Sequence, residues 1–599
     1  MLSDIALITT TKIPVVPRDS ANMTTDVKSA KGHTPSIVTK GSKAIVEATT
    51  KIPSIKAEDT NPDSPPLDDH LPDALPTPIK GKKLAKLLKG YNDAPYIING
   101  FSSGFKVGHE GSSYSVVERN SSTVYANPNA AQEKVDHEVS LGRIAGPFVH
   151  PPMLNLVISP LALRKKANSN KYRLLHNLSA PYDNSSVNIN IPDTEANVKY
   201  ATLRNALEII INDKCLFLAK SDIADALRLI PLHPSDFRLM GFKLNNRYYF
   251  DKCLPMGCRS SCKIFERFSD SLLHILSEKY NVTRVVKVID DFLFLAPTAE
   301  ECQDALLAFK DLAKEIGLPI ADHKTVGPSR IITFLGIEIN TVEGSCKLPP
   351  DKLENYLALT SSYINKRKIS MRDAKSLLGK LSFASAVIPA GRTFLRRLYD
   401  LTSGKYEPNS RKKLKSNHRK DLKVWCEFLN NHSGKSLLAA IPEFKPFTTS
   451  FLTDSCPNGY AGICHPLWFQ GTFPGKWRDF DIQFLELYPI FLLITLLAEK
   501  LKGERILVLC DNQPIVHTLN KLTTKNKRVM RLIRMLILVL LKNNIVIFAK
   551  HIPGKQNVIS DFLSRHQATP QFLRHHGLSP RPLIIPNALR PQNFKIKDL

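Results

Sequence analysis

Hydrophobic and polar positions divide the chain into stretches of different period. From about 200 to 345, apolar residues recur alternately at helical and at strand spacing. Positions 201–211 read as a helix and 215–222 as a strand ending in Asp222. Positions 248–256 lead through Pro255-Met256-Gly257 into a helix reaching about 280. The run 284–295 is two β-prone apolar segments around Asp290 and Asp291, the pattern of a hairpin with both acids at or near its turn. A helix over 298–317 and a β-branched hairpin over 331–339 follow. Residues 350–430 look all-helical. From about 447 a second mixed region begins: a strand at 448–453 before Asp454, two further strands, a helix over 482–502 and a strand at 505–510 before Asp511. A helix to about 542, a strand at 544–549 and a last helix with Asp561 complete it. The flanks lack such periods. Residues 1–85 are rich in Thr, Ser, Pro and Lys and read as disordered, with a short basic helix near 81–89. Residues 90–195 are folded but loop-rich, and the tail beyond 565 is Pro- and Arg-rich and expected to be poorly ordered.

Composition narrows the class. A chain of 599 residues is too long for one core. Its 82 basic and 55 acidic residues leave a net charge of +27, which points to a polyanionic partner, either nucleic acid or an acidic membrane surface. The most apolar run, 532–548, is interrupted by Arg534, Lys542, Asn543 and Asn544, so no membrane span is expected. Ten scattered cysteines suit a reducing compartment. Cys253, Cys258 and Cys262 cluster, but no second ligand pair follows at zinc-finger spacing.

The chemistry lies in the acids. Asp290 and Asp291, flanked by Val, Ile and Phe, would repel each other and resist desolvation, and a divalent cation relieves both problems. A surface turn is the alternative, since Asp is a common turn residue. Asp222 at a strand end beside that hairpin would make a trio, with Asp225 three residues on at the entry to a helix. Three carboxylates can hold two Mg²⁺ ions roughly 3.5–4 Å apart, an arrangement that needs neither His nor Cys. A second set comprises Asp454, Glu486, Asp511 and Asp561. Glu486 sits among apolar neighbours, and a buried acid wants a metal or a partner. Basic clusters at 164–166, 171–173 and 411–423 fit either phosphate contacts or solvated faces.

Taken in order, Lys171-x-Arg173, Asp222-x-x-Asp225, Leu254-Pro-Met-Gly257, Ile289-Asp-Asp291, Lys324 and Phe334-Leu-Gly336 resemble reverse transcriptases over about 95–400. The runs at 99–105, 142–147, 253–262, 377–383 and 387–392 resemble DIRS/Ngaro-type retrotransposons, which integrate with a tyrosine recombinase. Thr453-Asp-Ser, Leu485-Glu-Leu, Cys510-Asp-Asn-Gln513 and the segment from His551 to Asp561 resemble ribonuclease H. The resemblance implies an α/β (α+β) chain: a disordered extension (1–88), a lead-in with fingers (89–199), a polymerase palm (200–345), a helical thumb (346–404), a basic linker (405–446), a ribonuclease H-like domain (447–566) and a flexible tail (567–599). It implies RNA-directed DNA polymerase and hybrid-cutting activity with Mg²⁺ or Mn²⁺, two ions per site.

The partners implied are an RNA template, a DNA primer, their hybrid and dNTPs, in cytoplasm or nucleus. Asp222, Asp290 and Asp291 would bind metal with the backbone of Ile223. Arg173 would grip the triphosphate with Lys171 near it. Asp225, Leu227, Met256 and Gly257 would line the substrate site, with Gly257 allowing close approach of template or sugar. Lys324 would either protonate the leaving pyrophosphate or contact a phosphate. His551 would either aid product release or cap a loop. Leu227 stands where this family usually carries Phe or Tyr, which implies weaker exclusion of ribonucleotides. Val288 and Met256 replace a usual Tyr and a common Gln without removing a metal ligand. The alternative is a catalytically degenerate nucleic-acid-binding relic.

Overall fold

The structure is a computed structural model that describes residues 75–599, apart from 113–118, 166–169, 183–184, 405–406, 408, 433, 437–446, 478 and 595–599. Of the extension expected to be disordered (1–88), residues 1–74 lie outside the described residues, whereas Gly81–Leu87 form the expected short helix and are docked, with Leu84 and Leu88 buried. The fold is mixed α/β, and no helix among the described residues is long and apolar enough to cross a membrane.

Two sheets position the chemistry. The first has the order β2-β3-β1-β4, where β1 is Phe217–Asp222, β2 Val285–Val288, β3 Asp291–Ala296 and β4 Val326–Ser329. β1 and β3 run antiparallel in a register that sets Asp222 opposite Asp291. Helix α1 (Ser261–Tyr280) buries Ile264, Phe265, Phe268, Leu272, Ile275 and Leu276, a three-and-four spacing that makes one apolar stripe, and ends at Asn281 in the left-handed region. Helix α2 (Ala299–Ile316) starts at Thr298, whose hydroxyl accepts from the Glu301 N–H, and stops at Gly317 with φ +76°.

Ahead of this sheet lie the hairpin Leu161–Lys165/Tyr172–His176 and a three-stranded sheet in which Arg247–Asp251 is central. After it come helices α3 (Pro350–Ile364) and α4 (Met371–Ala384). The segment read as a linker is structured in part. Arg411–Lys413 pairs with Lys368–Ser370, and helix α5 (Ser416–Asn430) packs on α3. Its buried stripe is Leu422, Trp425, Cys426 and Leu429, which the flanking Lys and Arg residues obscure in the sequence.

The second sheet has the order β7-β6-β5-β8-β9: β5 Thr449–Ser455, β6 Gly459–Cys464, β7 Leu467–Thr472, β8 Arg505–Cys510 and β9 Val546–His551. β5, β8 and β9 are parallel to one another, and β6 and β7 are antiparallel additions at one side. Helix α6 (Ile482–Leu497) is apolar all round, as a helix covered on every side must be. It lies against β5, β6 and helix α8 (Lys527–Lys542), with α7 (Gln513–Lys521) nearby, and α9 (Val558–Ser564) also packs against β5 and β6.

The tail, expected to be loose, is docked as far as residue 594. The Trp468 indole donates to the Ser579 carbonyl at 2.8 Å, Leu583 N–H donates to the Trp468 carbonyl at 2.7 Å, and the Tyr488 hydroxyl donates to the Leu589 carbonyl. The Phe594 ring meets Trp477, Tyr488 and Phe491. A few apolar side chains at irregular spacing suffice to anchor a strap, and no period announces them.

One apolar core runs from the first sheet through α3–α5 into the second sheet. Where α5 meets α8, Asp421 is buried between two guanidinium groups. Arg534 donates to it twice, at 2.7 and 3.0 Å, and Arg397 once, at 2.9 Å.

Candidate active sites

The hairpin between β2 and β3 has a two-residue turn, Ile289-Asp290, with Ile289 at φ +56°. A β-branched residue in the left-handed region is strained and needs support from its surroundings. Glu266 on α1 gives it, accepting from the Ile289 N–H at 3.3 Å. Buried Lys287 lies 2.7 Å from Glu266 and 2.9 Å from Asp270, tying β2 to the same helix. The turn therefore holds Asp290 beside the strand end of Asp222, whose neighbour Ile223 donates its N–H to the Asp290 carbonyl at 3.0 Å.

The three acids share one electrostatic problem. Burial and the adjacent Asp222 carboxylate raise the Asp290 pKa. Burial, Asp222 and Asp290 push Asp291 up to about 6. Asp222, 9% exposed, accepts from Lys324 Nζ at 2.7 Å, so a side-chain cation already sits on the cluster. Such an excess of negative charge with hard oxygen donors fits divalent Mg²⁺ or Mn²⁺.

A cavity of about 480 Å³ opens beside the acids and is lined by Arg173, Asp222, Ile223, Asp225, Leu227, Met256, Asp290 and Lys324. Lys171 is exposed two residues before Arg173 and is not part of that lining, and Asp291 sits beside it on β3. Asp225 stands at φ +55° and accepts from Arg143 at 3.1 Å. Gly257 meets a constraint within the protein itself. A Cβ there would stand 1.9 Å from the His176 carbonyl oxygen, so the glycine serves a close approach within the protein, between the loop and the Arg173 strand.

Residues 164–339 match the family of reverse transcriptases (RNA-dependent DNA polymerases). This segment is a reverse transcriptase domain of retroelement type. Across a longer span the chain is 24% identical over 363 residues to a polyprotein of Cassava vein mosaic virus, which covers 59% of this chain and 53% of that one. It is 22% identical over 390 residues to the genome polyprotein of Petunia vein clearing virus, covering 64% and 17%, and 26% identical over 299 residues to the Gag-Pro-Pol polyprotein of Mason-Pfizer monkey virus, covering 48% and 15%. The chain thus spans about half the length of the first relative and less than a fifth of the others. Among solved structures, a foamy viral protease-reverse transcriptase in complex with RNA/DNA hybrid aligns at TM-score 0.47 and 14% identity, over 78% of this chain and 62% of that one.

Beyond the reverse transcriptase domain, the second sheet gathers the other acids. Asp454 on β5 and Glu486 on α6 are 6% and 5% exposed, while Asp511 after β8 and Asp561 on α9 are half-buried. Ligand atoms of Glu486, Cys510 and Asp511 all lie within 4.8 Å of one another. Burial, Asp454 and Asp511 push Glu486 up to about 9, and its Oε2 is buried with no hydrogen-bond partner. An orphaned buried carboxylate oxygen is the signature of a site that expects a cation.

Asp454 rises to about 6 through burial, opposed by the Ser564 hydroxyl, which donates at 2.6 Å. Asp561 accepts from Arg565 at 2.8 Å. His551 is exposed, its Nε2 3.2 Å from the Asp511 carbonyl oxygen. The loop after it is held by buried Asn557, which donates to the Thr453 carbonyl at 3.0 Å.

Sequence reasoning missed a charged network under the first cavity, built from Glu138, Arg143, His176, Arg228 and Asp251. Its one visible signal was Arg228, a cation inside Ala226-Leu-Arg-Leu-Ile230.

Proposed function

We propose that the chain is an RNA-directed DNA polymerase that also degrades the RNA strand of an RNA–DNA hybrid. The observation that carries the polymerase reading is the convergence of Asp222, Asp290 and Asp291 at a cavity that Arg173 and Lys324 also face, within the matched segment.

Asp222, Asp290 and Asp291 would hold Mg²⁺ or Mn²⁺ with the Ile223 carbonyl. Two such ions, when bound, supply activation of the primer 3′-hydroxyl and neutralise charge on the leaving pyrophosphate. Arg173 binds the triphosphate and orients it toward the acids. Lys324 offers its ammonium proton on the phosphate side of Asp222, and Leu227 and Met256 contact the sugar and base. In the second site Asp454, Glu486, Asp511 and Asp561 would hold the ions, and His551 fixes the Asp511 loop at its mouth.

A polymerase that copies RNA leaves a hybrid, so the second activity removes the template used by the first. The partners proposed are an RNA template, a DNA primer, their hybrid and dNTPs. The sequence carriers support an element of DIRS/Ngaro type acting in cytoplasm or nucleus.

Primer extension on an RNA template, with hybrid cleavage read in the same tube, tests the reading. Asp290→Asn is the polymerase control. A wild-type chain that binds hybrid but neither extends nor cleaves it would be the degenerate relic instead.

A further inference from the structure

Beneath the cavity, five ionisable side chains from separate parts of the chain meet away from solvent. Arg228 is the hub. Its Nε donates to Glu138 at 2.8 Å, and its Nη1 to Asp251 at 2.7 Å and to the Cys253 carbonyl at 3.2 Å. His176 Nδ1 lies 3.0 Å from the other Asp251 oxygen, and its Nε2 lies 3.1 Å from the Gly241 carbonyl. Arg143 lies 3.9 Å from Glu138 and 3.1 Å from Asp225. Arg228, Asp251 and His176 are each less than a tenth exposed.

Each member has a neighbour in the site. Arg228 follows Leu227, the residue at the sugar position. His176 ends the strand Tyr172–His176 that carries Arg173, and its N–H donates to the Met256 carbonyl at 2.9 Å. Asp225 precedes the turn that contains Leu227. Glu138, His176, Arg228 and Asp251 themselves line the same cavity.

An apolar floor would slide more readily than this one. A guanidinium fork shared between two carboxylates fixes both direction and distance, and a buried ion left without its partner is strongly disfavoured.

We propose that Arg228, Asp251 and His176 are positioning residues that set the separation between Arg173, which grips the triphosphate, and Leu227, which meets the sugar. They thereby govern nucleotide affinity and the choice between deoxyribose and ribose. This rests on the polymerase reading above.

The test uses the full chain with two variants, Arg228→Lys and the charge-neutral pair Arg228→Met with Asp251→Leu. Lysine keeps the charge and loses the fork; the pair removes Arg228 and Asp251 together and leaves Glu138 to Arg143, 3.9 Å away. Each is measured for KM and kcat with dNTPs, for the dNTP/rNTP discrimination ratio, and for its melting temperature. The expected result is a folded protein whose KM for dNTP rises roughly tenfold or more, whose discrimination ratio changes by a similar factor, and whose kcat at saturating dNTP stays within about threefold.

A folded variant with wild-type KM and wild-type discrimination overturns the proposal. So does a fall in kcat alone. Loss of folding in both variants also overturns it, because the network would then be a requirement of the fold and not a device of selection. If the wild-type chain incorporates no dNTP, it is the polymerase reading that fails first; if it does and the variants match it, only this proposal falls.

Discussion

The two acidic centres solve one problem, crowded carboxylates, in opposite surroundings. In the first, Asp290 and Asp291 ride on a hairpin at the edge of an open cavity, with Lys324 on Asp222 and Arg173 across the space. Asp291 is raised only to about 6. In the second, Glu486 is buried with one carboxylate oxygen lacking a hydrogen-bond partner, and burial with the nearby Asp454 and Asp511 pushes its carboxyl up to about 9. The first centre has Lys324 as a built-in cation on Asp222, whereas in the second burial among acids biases the Glu486 carboxyl toward its neutral form, a bias that a bound cation would offset. Under the proposed function, the first pocket would admit a charged nucleotide at each step, whereas the second would meet one continuous strand.

The largest expected effect separates the two. Asp290→Asn lowers primer extension by roughly 10³-fold or more and leaves hybrid cleavage within about threefold, and Asp511→Asn does the reverse. Parallel loss of both activities in either variant would break the division. Asp291→Asn should retain more extension than Asp290→Asn, because Asp290 occupies the turn that faces the cavity; equal loss would refute that ranking.

Next comes the dependence on pH and metal. Both raised carboxyls favour the neutral form in the folded state. Stability of the cation-free protein is therefore greatest below the ordinary carboxyl range. It falls as pH rises, ceasing to fall above about 6 for Asp454 and above about 9 for Glu486. The melting transition of the second domain in chelator should drop by roughly 5 °C or more between about pH 5 and pH 9. Mg²⁺ should remove most of that drop, as should Glu486→Gln. A transition flat in pH without metal would remove the contrast between the centres.

A smaller effect belongs to the first cavity. Leu227→Phe should strengthen rejection of rNTPs by roughly tenfold, read as the ratio of kcat/KM for dNTP and rNTP. Identical discrimination by both proteins would show that this position does not meet the sugar. The smallest belongs to the second. His551→Ala loses one exposed hydrogen bond to the Asp511 loop and should slow single-turnover hybrid cleavage by about threefold to tenfold. An unchanged single-turnover rate with slower multiple turnover would assign His551 to product release instead.

The acids were visible as candidates less one by one, since Asp is common in turns and caps, than as ordered sets, several of them next to strongly apolar runs. Asp222 and Asp511 end runs of β-prone residues, and Glu486 interrupts Phe484-Leu-Glu-Leu. The alternation of strands and helices was legible in the same apolar runs. What stayed hidden depends on partners remote in sequence. Asp251 looks like an ordinary surface charge, and Arg228 inside its apolar run has no visible partner, until the fold brings Glu138 and His176 to them. The helical character of α5 was read, but its buried role was obscured by Arg419, Lys420 and Lys423, although Asp421 among them is the most buried acid at the junction of the two halves. The packing of Gly257 against the backbone of His176, some eighty positions earlier, was hidden in the same way.

The docked tail changes where the second domain can be cut out. Motifs alone suggest a fragment ending just after Asp561. That fragment would lack the chain that covers Trp468, Trp477 and Tyr488, and Tyr488 lies two residues from Glu486 on the same helix. A piece trimmed to its motifs would keep all four acids, but the helix that carries Glu486 would be stripped of its outer wall, and insolubility of that piece would say nothing about the chemistry. The excisable unit extends at least to Phe594.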